Sequence, residues 1–425
     1  MLLVIYKAIM RASTPLLEAY LKKREGRGKE DPARAGERRG NAARTRGSAP
    51  LVWFHAASVG ESLSLLSVIA RLQADYPEID VMVTTGTVTS AKLMGERLPA
   101  RAFHQYMPVD HPRWVARFLD HWRPDLVLWA ESEFWPNMLS AIGARRIPAL
   151  LLNARMSEKS FSRWQWAKGS ISSLLSVFSL SLAQNTAEAE RLRALGAKNV
   201  RVSANLKYAA APLPFDQERL EALRREAEGK NLLLWASTHE GEEEVALATH
   251  AALKKEFASL ATIIAPRHPA RGDSIRALAE KEGLKTSQRS KGEALAEIYI
   301  ADTLGELGLF FRLCKTTVMG GTFADIGGHN PIEPGQLGSA VYLGPVMYNF
   351  ITIAEDFLTA GAAVQVKDAA ELREKLRAAL ANPDSLAPLA AAARNMTLQK
   401  SHIVDELAAL LRPFADALVR TKVAS

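Results

Sequence analysis

The chain has 425 residues, 48% hydrophobic and 24% charged, with a formal net charge of +8 and one cysteine. That length exceeds what one hydrophobic core ordinarily serves, so two domains are expected, and the composition excludes a disordered chain or a disulfide-stapled scaffold. The positive charge does not describe a nucleic-acid-binding face: residues 22–46 hold ten Lys and Arg against four acids and no aromatic residue, and the rest of the chain is nearly neutral.

Residues 1–21 are apolar but interrupted by Lys7, Arg11 and Glu18, whereas a bilayer-crossing helix needs ~18 or more uninterrupted apolar residues. At 100° per residue these three and Lys22 share one narrow face, and leucines, isoleucines and tyrosines cover the other. The pattern predicts a membrane-associating helix lying on an anionic leaflet, kinked at Pro15. A spanning anchor, or a helix folded onto its own protein, are the alternatives. Residues 22–50, rich in Arg, Gly and Ala, predict a basic mobile linker.

From residue 51 to 212, short apolar runs alternate with amphipathic stretches, the pattern of a parallel sheet covered by helices. Strands are predicted over 51–55, 81–85, 126–130, 149–153, 179–183 and 200–203, and ligands of such sheets gather at the C-terminal strand ends. The first strand runs into His55-Ala56-Ala57-Ser58-Val59-Gly60-Glu61, where Glu61 stands at a helix start. It is placed either to complement the helix dipole or to take a proton from a sugar hydroxyl. Thr84-Thr85-Gly86-Thr87 offers hydroxyls to a sugar or phosphate, or only a helix cap. Glu131-Ser132-Glu133-Phe134-Trp135 sets two carboxylates at a strand end, which calls for a polar ligand or a basic partner. Arg155 and Lys207 end further strands and are candidate counterions for an anionic substrate.

A second strand series occupies 213–400 and starts at Leu232. Glu242, Glu243 and Glu244 follow it as first-turn acids suited to a helix dipole. Arg267, in Pro266-Arg267-His268-Pro269, is held stiffly at a strand end, as a phosphate clamp would be. Asp302-Thr303-Leu304-Gly305-Glu306 is another strand-to-helix turn. The run from Gly320 to Pro334 reads as strand, glycine-rich loop and helix, with Asn330 as N-cap, Pro331 at the first helical position and Glu333 at the third. A helix start there would receive an anion. Residues 401–425 predict a last helix that crosses back to the first domain. No Gly-x-Gly-x-x-Gly, P-loop or Asp-x-Asp motif occurs, so a dinucleotide fingerprint, a P-loop and a metal held on a diphosphate are disfavoured.

Six motifs in this order, His55 to Glu61, Glu131 to Asn137, Asn205-Leu206-Lys207, Pro266-Arg267-His268, Asp302 to Glu306 and Gly327 to Glu333, resemble those of the 3-deoxy-D-manno-octulosonic acid (Kdo) transferases of lipopolysaccharide assembly, over nearly the whole chain. The resemblance implies an α/β GT-B fold, two Rossmann-like domains facing across a cleft. It implies a CMP-Kdo donor, a lipid A precursor acceptor, the cytoplasmic face of the inner membrane, and neither metal nor cofactor. By the same resemblance Glu61 is the general base, Glu131 and Lys207 support the transition state, and CMP lies on Pro266, Arg267, Leu304, Gly305, Glu306, Asn330, Pro331, Ile332 and Glu333. Two departures stand out: Ala204 replaces a glycine common before the Asn-Leu-Lys run, and the apolar N-terminus is less continuous. A GT-B sugar-nucleotide epimerase and a non-catalytic membrane scaffold that kept a nucleotide pocket are the competing readings.

Overall fold

A computed structural model describes residues 2–423. The chain divides into two compact units, one of Met1–Ala210 with Ser401–Ser425 and one of Ala211–Lys400. In the first, strands β1 (Leu51–His55), β2 (Asp80–Thr85), β3 (Ala102–Tyr106), β4 (Leu126–Ala130), β5 (Ala149–Ala154), β6 (Leu180–Ala183) and β7 (Val200–Val202) form a parallel sheet in the order β3-β2-β1-β4-β5-β6-β7. Its central strands are continuous apolar runs because helices cover both faces. On one face Trp53 packs against Phe118 and Trp129, with ring centroids 5.0 and 5.6 Å apart. On the other lie Phe54, Leu65, Ile69 and Leu128, joined by Ile403, Leu407, Leu411 and Ala415 of the last helix, Ile403–Val423. Those four recur every fourth residue and make a single apolar stripe. Tyr76 fastens the same helix by donating to Asp416 Oδ1 at 2.6 Å.

The basic segment expected to be a mobile linker is built into this unit instead. Its arginines pair with buried carboxylates: Arg24 reaches Glu30 at 2.6 Å, and Arg34 reaches Glu37 at 2.7 Å. Arg34 also donates to the His104 carbonyl at 2.9 Å, and the Tyr106 N–H donates to Glu37 Oε2 at 2.7 Å. These contacts close the exposed side of edge strand β3, whose polar His104 and Gln105 mask it in an apolarity reading. Gly40, at φ +76°, lies so close to the Trp114 carbonyl that a Cβ would stand 2.1 Å from its oxygen.

The N-terminal arm is two helices, Leu2–Ala12 and Thr14–Glu25. The break falls at Ser13, and Pro15 opens the second helix, where its missing N–H is harmless. Glu18 pairs with Arg39 at 2.6 Å, and Thr14 Oγ1 meets His111 Nε2 at 3.0 Å. Leu2, Val4, Ile5, Ile9, Leu16 and Tyr20 point to solvent. Among the described residues no helix is long and apolar enough to cross a membrane.

The second unit repeats the plan with β8 (Asn231–Thr238), β9 (Leu260–Pro266), β10 (Thr286–Gln288), β11 (Ile298–Ile300), β12 (Thr316–Met319), β13 (Ala340–Leu343) and β14 (Ala363–Gln365). They form a parallel sheet in the order β10-β11-β9-β8-β12-β13-β14 around Trp235, Ile264, Ile298, Val318 and Tyr342. The strand order reverses between β1 and β4 in the first sheet and between β8 and β12 in the second, where β11 also inserts between β9 and edge strand β10. The crevice at such a reversal is where open α/β sheets bind ligands.

Candidate active site

In the first unit the loops after β1, β4, β5 and β7 converge. Ser58 caps the helix Val59–Asp75, and its Oγ accepts the Glu61 N–H at 3.3 Å. Glu61 answers: Oε1 accepts the Ser58 hydroxyl at 2.7 Å, and Oε2 accepts the Ala57 N–H at 2.8 Å. This is a capping-box arrangement that fixes the carboxylate at the strand end.

Glu131 and Asn153, on neighbouring strand ends, both take positive φ, 58° and 52°. Residues with a Cβ rarely adopt this conformation, and it clusters at functional sites. Asn153 Nδ2 donates to Glu131 Oε1 at 3.3 Å, while its Oδ1 accepts the Leu206 N–H at 3.0 Å. One amide thereby ties the Glu131 carboxylate to the turn that carries Lys207. Asn205 Oδ1 accepts the Lys207 N–H at 3.0 Å, and Asn205 Nδ2 donates to Gln184 Oε1 at 3.0 Å. Gln184 closes the ring by donating to the Asn153 carbonyl at 3.0 Å. Gln184 is a positioning residue that sequence reasoning missed; an amide directly after strand β6 was its one signal.

Burial pushes the Glu131 carboxyl up to about 7, and the Glu61 charge pushes the same way against Lys207, Arg155 and the Asn153 hydrogen bond. Burial and Glu61 also raise Glu133. Glu61, Glu131, Glu133, Arg155 and Lys207 therefore share one electrostatic neighbourhood. The hydroxyl-rich turn serves the fold: Thr84 Oγ1 accepts from Trp53 Nε1 at 2.8 Å and contacts His55 Nδ1 at 2.9 Å, and Thr87 caps the helix Val88–Arg97.

In the second unit the first-turn acids do more than complement a dipole, and that expectation is corrected. Buried Glu242 accepts four backbone N–H groups: His239 at 3.0 Å, Gly321 at 2.7 Å, Thr322 at 3.0 Å and Phe323 at 2.9 Å. It anchors the glycine-rich loop after β12 to the end of β8. Glu243, also buried, takes Arg271 at 3.1 Å and the Thr238 hydroxyl at 3.1 Å. Gly320 permits this closeness, because a Cβ there would stand 2.3 Å from the Ser237 carbonyl oxygen.

Arg267 leaves the end of β9 with its N–H donated to the Thr238 carbonyl at 2.9 Å. Its side chain is exposed, and among the described residues the guanidinium has no hydrogen-bond or ion-pair partner. His239 and His329 meet Nε2 to Nε2 at 2.8 Å, and His268 stands edge-on to His239 with centroids 6.0 Å apart.

The helix after the glycine-rich loop is shorter and later than its sequence suggests. It spans Ile332–Gln336 and leaves Pro331 outside. Asn330 Oδ1 accepts the Ile332 N–H at 3.2 Å, and Asn330 Nδ2 donates to Glu333 Oε1 at 3.3 Å. A single turn whose first donor is already occupied is a weak anion site, which leaves Arg267 as the principal positive group here. Burial raises the Glu333 carboxyl, while Asn330 and Arg267 oppose the rise. Glu306 is committed internally. Its carboxylate takes Arg289 at 2.9 Å and Arg219 at 3.1 Å and is held down to about 2, chiefly by Arg289. What residues 304–306 offer a ligand is backbone at Gly305, φ +82°, and the exposed Leu304 side chain.

Two parallel seven-stranded sheets with helices on both faces, each with its candidate residues beside a strand-order reversal, give a GT-B-like fold. Solved structures share it: a putative UDP-N-acetylglucosamine 2-epimerase from Listeria monocytogenes at TM-score 0.59, 13% identity, 87% of this chain and 98% of that one. A spinosyn rhamnosyltransferase bound to thymidine diphosphate matches at TM-score 0.53, 13% identity, 86% of this chain and 99% of that one. The family model described as 3-deoxy-D-manno-octulosonic-acid transferase (kdotransferase) matches residues 33–210. The 3-deoxy-D-manno-octulosonic acid transferase of Rickettsia bellii is 36% identical over 82% of this chain and 84% of its own length. That of Haemophilus influenzae is 30% identical over 86% and 87%. A probable mitochondrial transferase of the same name from Arabidopsis thaliana is 34% identical over 90% and 89%. The chain belongs to the 3-deoxy-D-manno-octulosonic acid transferase family and is a glycosyltransferase.

Proposed function

We propose that this glycosyltransferase moves Kdo from CMP-Kdo to a lipid A precursor with inversion at the anomeric carbon. The observation that carries the reading is the grouping of Glu61, Glu131 and Lys207 at one strand-order reversal in a chain of this family. The acceptor hydroxyl oxygen attacks the anomeric carbon, its proton passes to the Glu61 carboxylate, and the bond to the phosphate oxygen breaks with its electron pair remaining on CMP. Lys207 faces the sugar carboxylate and offsets the Glu131 charge. On the second unit CMP takes Arg267 at its phosphate, with Pro266, residues 304–306 and residues 330–333 around the nucleoside.

The acceptor is a lipid, and the N-terminal helices suit its surroundings. The exposed Leu2, Val4, Ile5, Ile9, Leu16 and Tyr20 are flanked by exposed Lys7, Arg11, Lys22 and Lys23, a composition that adsorbs to an anionic leaflet. We infer residence at the cytoplasmic face of the inner membrane.

Product inhibition tests the donor assignment. CMP should inhibit competitively against CMP-Kdo and UDP should not; turnover of a UDP-sugar in place of CMP-Kdo would instead favour the epimerase reading.

A further inference from the structure

The loops after β8 and β12, on either side of the strand-order reversal in the second unit, each present one histidine. His239 and His329 touch through their Nε2 atoms at 2.8 Å, with ring planes 6° apart. Both are held in place. The His239 N–H donates to Glu242 Oε2 at 3.0 Å, and the His329 ring lies against Gly321, where a Cβ would stand 3.1 Å from its Cδ2. Burial keeps both imidazoles below their ordinary range, His329 at about 4. At that contact one Nε2 carries a hydrogen and the other accepts it. Two imidazolium rings would point two hydrogens at each other, so the pair holds either no charge or one positive charge.

We propose that the His239–His329 pair takes up one proton when a phosphate monoester seats at Arg267, and that this cation balances the charge the nucleotide gains as it leaves the sugar. The proposal rests on the CMP assignment above. The phosphodiester of the sugar nucleotide carries one negative charge, and the phosphate monoester released from it carries nearly two above pH 7. The extra proton comes from solvent and binds the outer nitrogen of one ring, while the Nε2 contact persists. Burial first, and then the cations around the pair, keep it neutral without ligand: Arg267 and His268 act on both rings and Arg271 on His239. Glu242, the carboxylate beside His239, is already engaged by four N–H groups. A phosphate on Arg267 reverses the sign of that field, which moves an imidazole toward its charged form.

The test is calorimetric titration of the full chain with CMP from pH 7 to 9, where the ligand stays a dianion, in Hepes and in Tris. The wild-type protein should take up a resolvable fraction of a proton, at most one, per CMP bound at pH 7, and affinity should fall by up to about tenfold per pH unit between the apparent pKa of the free pair and that of the liganded pair, levelling off above it. His239→Gln and His329→Gln should each flatten that slope. Cytidine, which has no phosphate, should bind without uptake. A pH-independent wild-type affinity, or a slope that survives in both variants, overturns the proposal and leaves the CMP assignment standing. Absence of CMP binding by the wild-type protein overturns the assignment and the proposal with it.

Discussion

Glu61→Gln separates chemistry from architecture, because the Glu61 carboxylate does two things. It accepts the Ser58 hydroxyl at 2.7 Å and the Ala57 N–H at 2.8 Å, and in the reaction we propose it receives a proton. Glutamine keeps an oxygen that can accept one of those two hydrogen bonds, so the structural loss is one bond to a charged group, about 1.5–3 kcal/mol. For a unit of this size that lowers Tm by roughly 2–4 °C per kcal/mol, and the fold survives. The chemical loss is separate: an amide cannot take the acceptor proton, and general acid–base catalysis contributes ~10²–10⁴ in rate, or about 2.7–5.4 kcal/mol. The assay pairs single-turnover transfer from CMP-Kdo with calorimetric CMP binding and a thermal scan. Turnover should drop at least 100-fold with CMP affinity unchanged, since the proposed nucleotide contacts belong to the second unit. Turnover reduced less than about 10-fold with intact binding would refute Glu61 as the base.

With its carboxyl pushed up to about 7, Glu131 should give kcat/KM a limb that rises through neutral pH as the group ionises. Glu131→Gln should remove the limb, and Lys207→Met should move it to higher pH, because Lys207 is one of the groups holding that value down. The same shift has a sign for stability: a carboxyl raised on folding favours the native state below its unfolded value, and that contribution is lost as pH rises through about 7. Thermal unfolding at pH 6 and 8 should differ less in Glu131→Gln than in the wild type. Glu242→Gln turns amide hydrogens toward backbone donors that now meet carboxylate oxygen, at a cost of about 1–3 kcal/mol for each donor left unsatisfied. Loss of the second unit's thermal transition by several degrees, together with weakened CMP binding, checks this. Ile5→Asp with Ile9→Asp and Leu16→Asp should abolish co-sedimentation with anionic vesicles while CMP binding persists; retained sedimentation would move the membrane contact elsewhere.

The central strands and the order of the site-bearing loops were legible because parallel strands buried on both faces are written as unbroken apolar runs, such as Leu126 to Ala130 and Leu232 to Trp235. Edge strand Val200–Val202 was legible too, and the other three edge strands were not. Thr286–Gln288 and Ala363–Gln365 are three residues each, and Ala102–Tyr106 is half polar. The arginine-rich segment read as a linker because composition reports net charge, whereas its structure depends on which arginine meets which carboxylate. Glu61, Glu131 and Lys207 stood out as charged groups at strand ends, and the structure brings them together. The Glu242 anchor and the His239–His329 contact join residues about 80 to 90 positions apart through backbone N–H groups and ring nitrogens, and no local spacing encodes that. Glu306 and Asn330 show the reverse: each carries a polar group that a ligand would use, and each is already engaged within its own unit.

Incubation of the full chain with CMP-Kdo and a tetraacylated lipid A precursor in anionic vesicles, read by mass spectrometry, is the most direct measurement. The precursor should gain the mass of at least one Kdo residue, with an equal amount of CMP released and no product from Glu61→Gln on the same timescale. An unmodified precursor beside intact CMP-Kdo, or a sugar nucleotide altered without transfer, would contradict it.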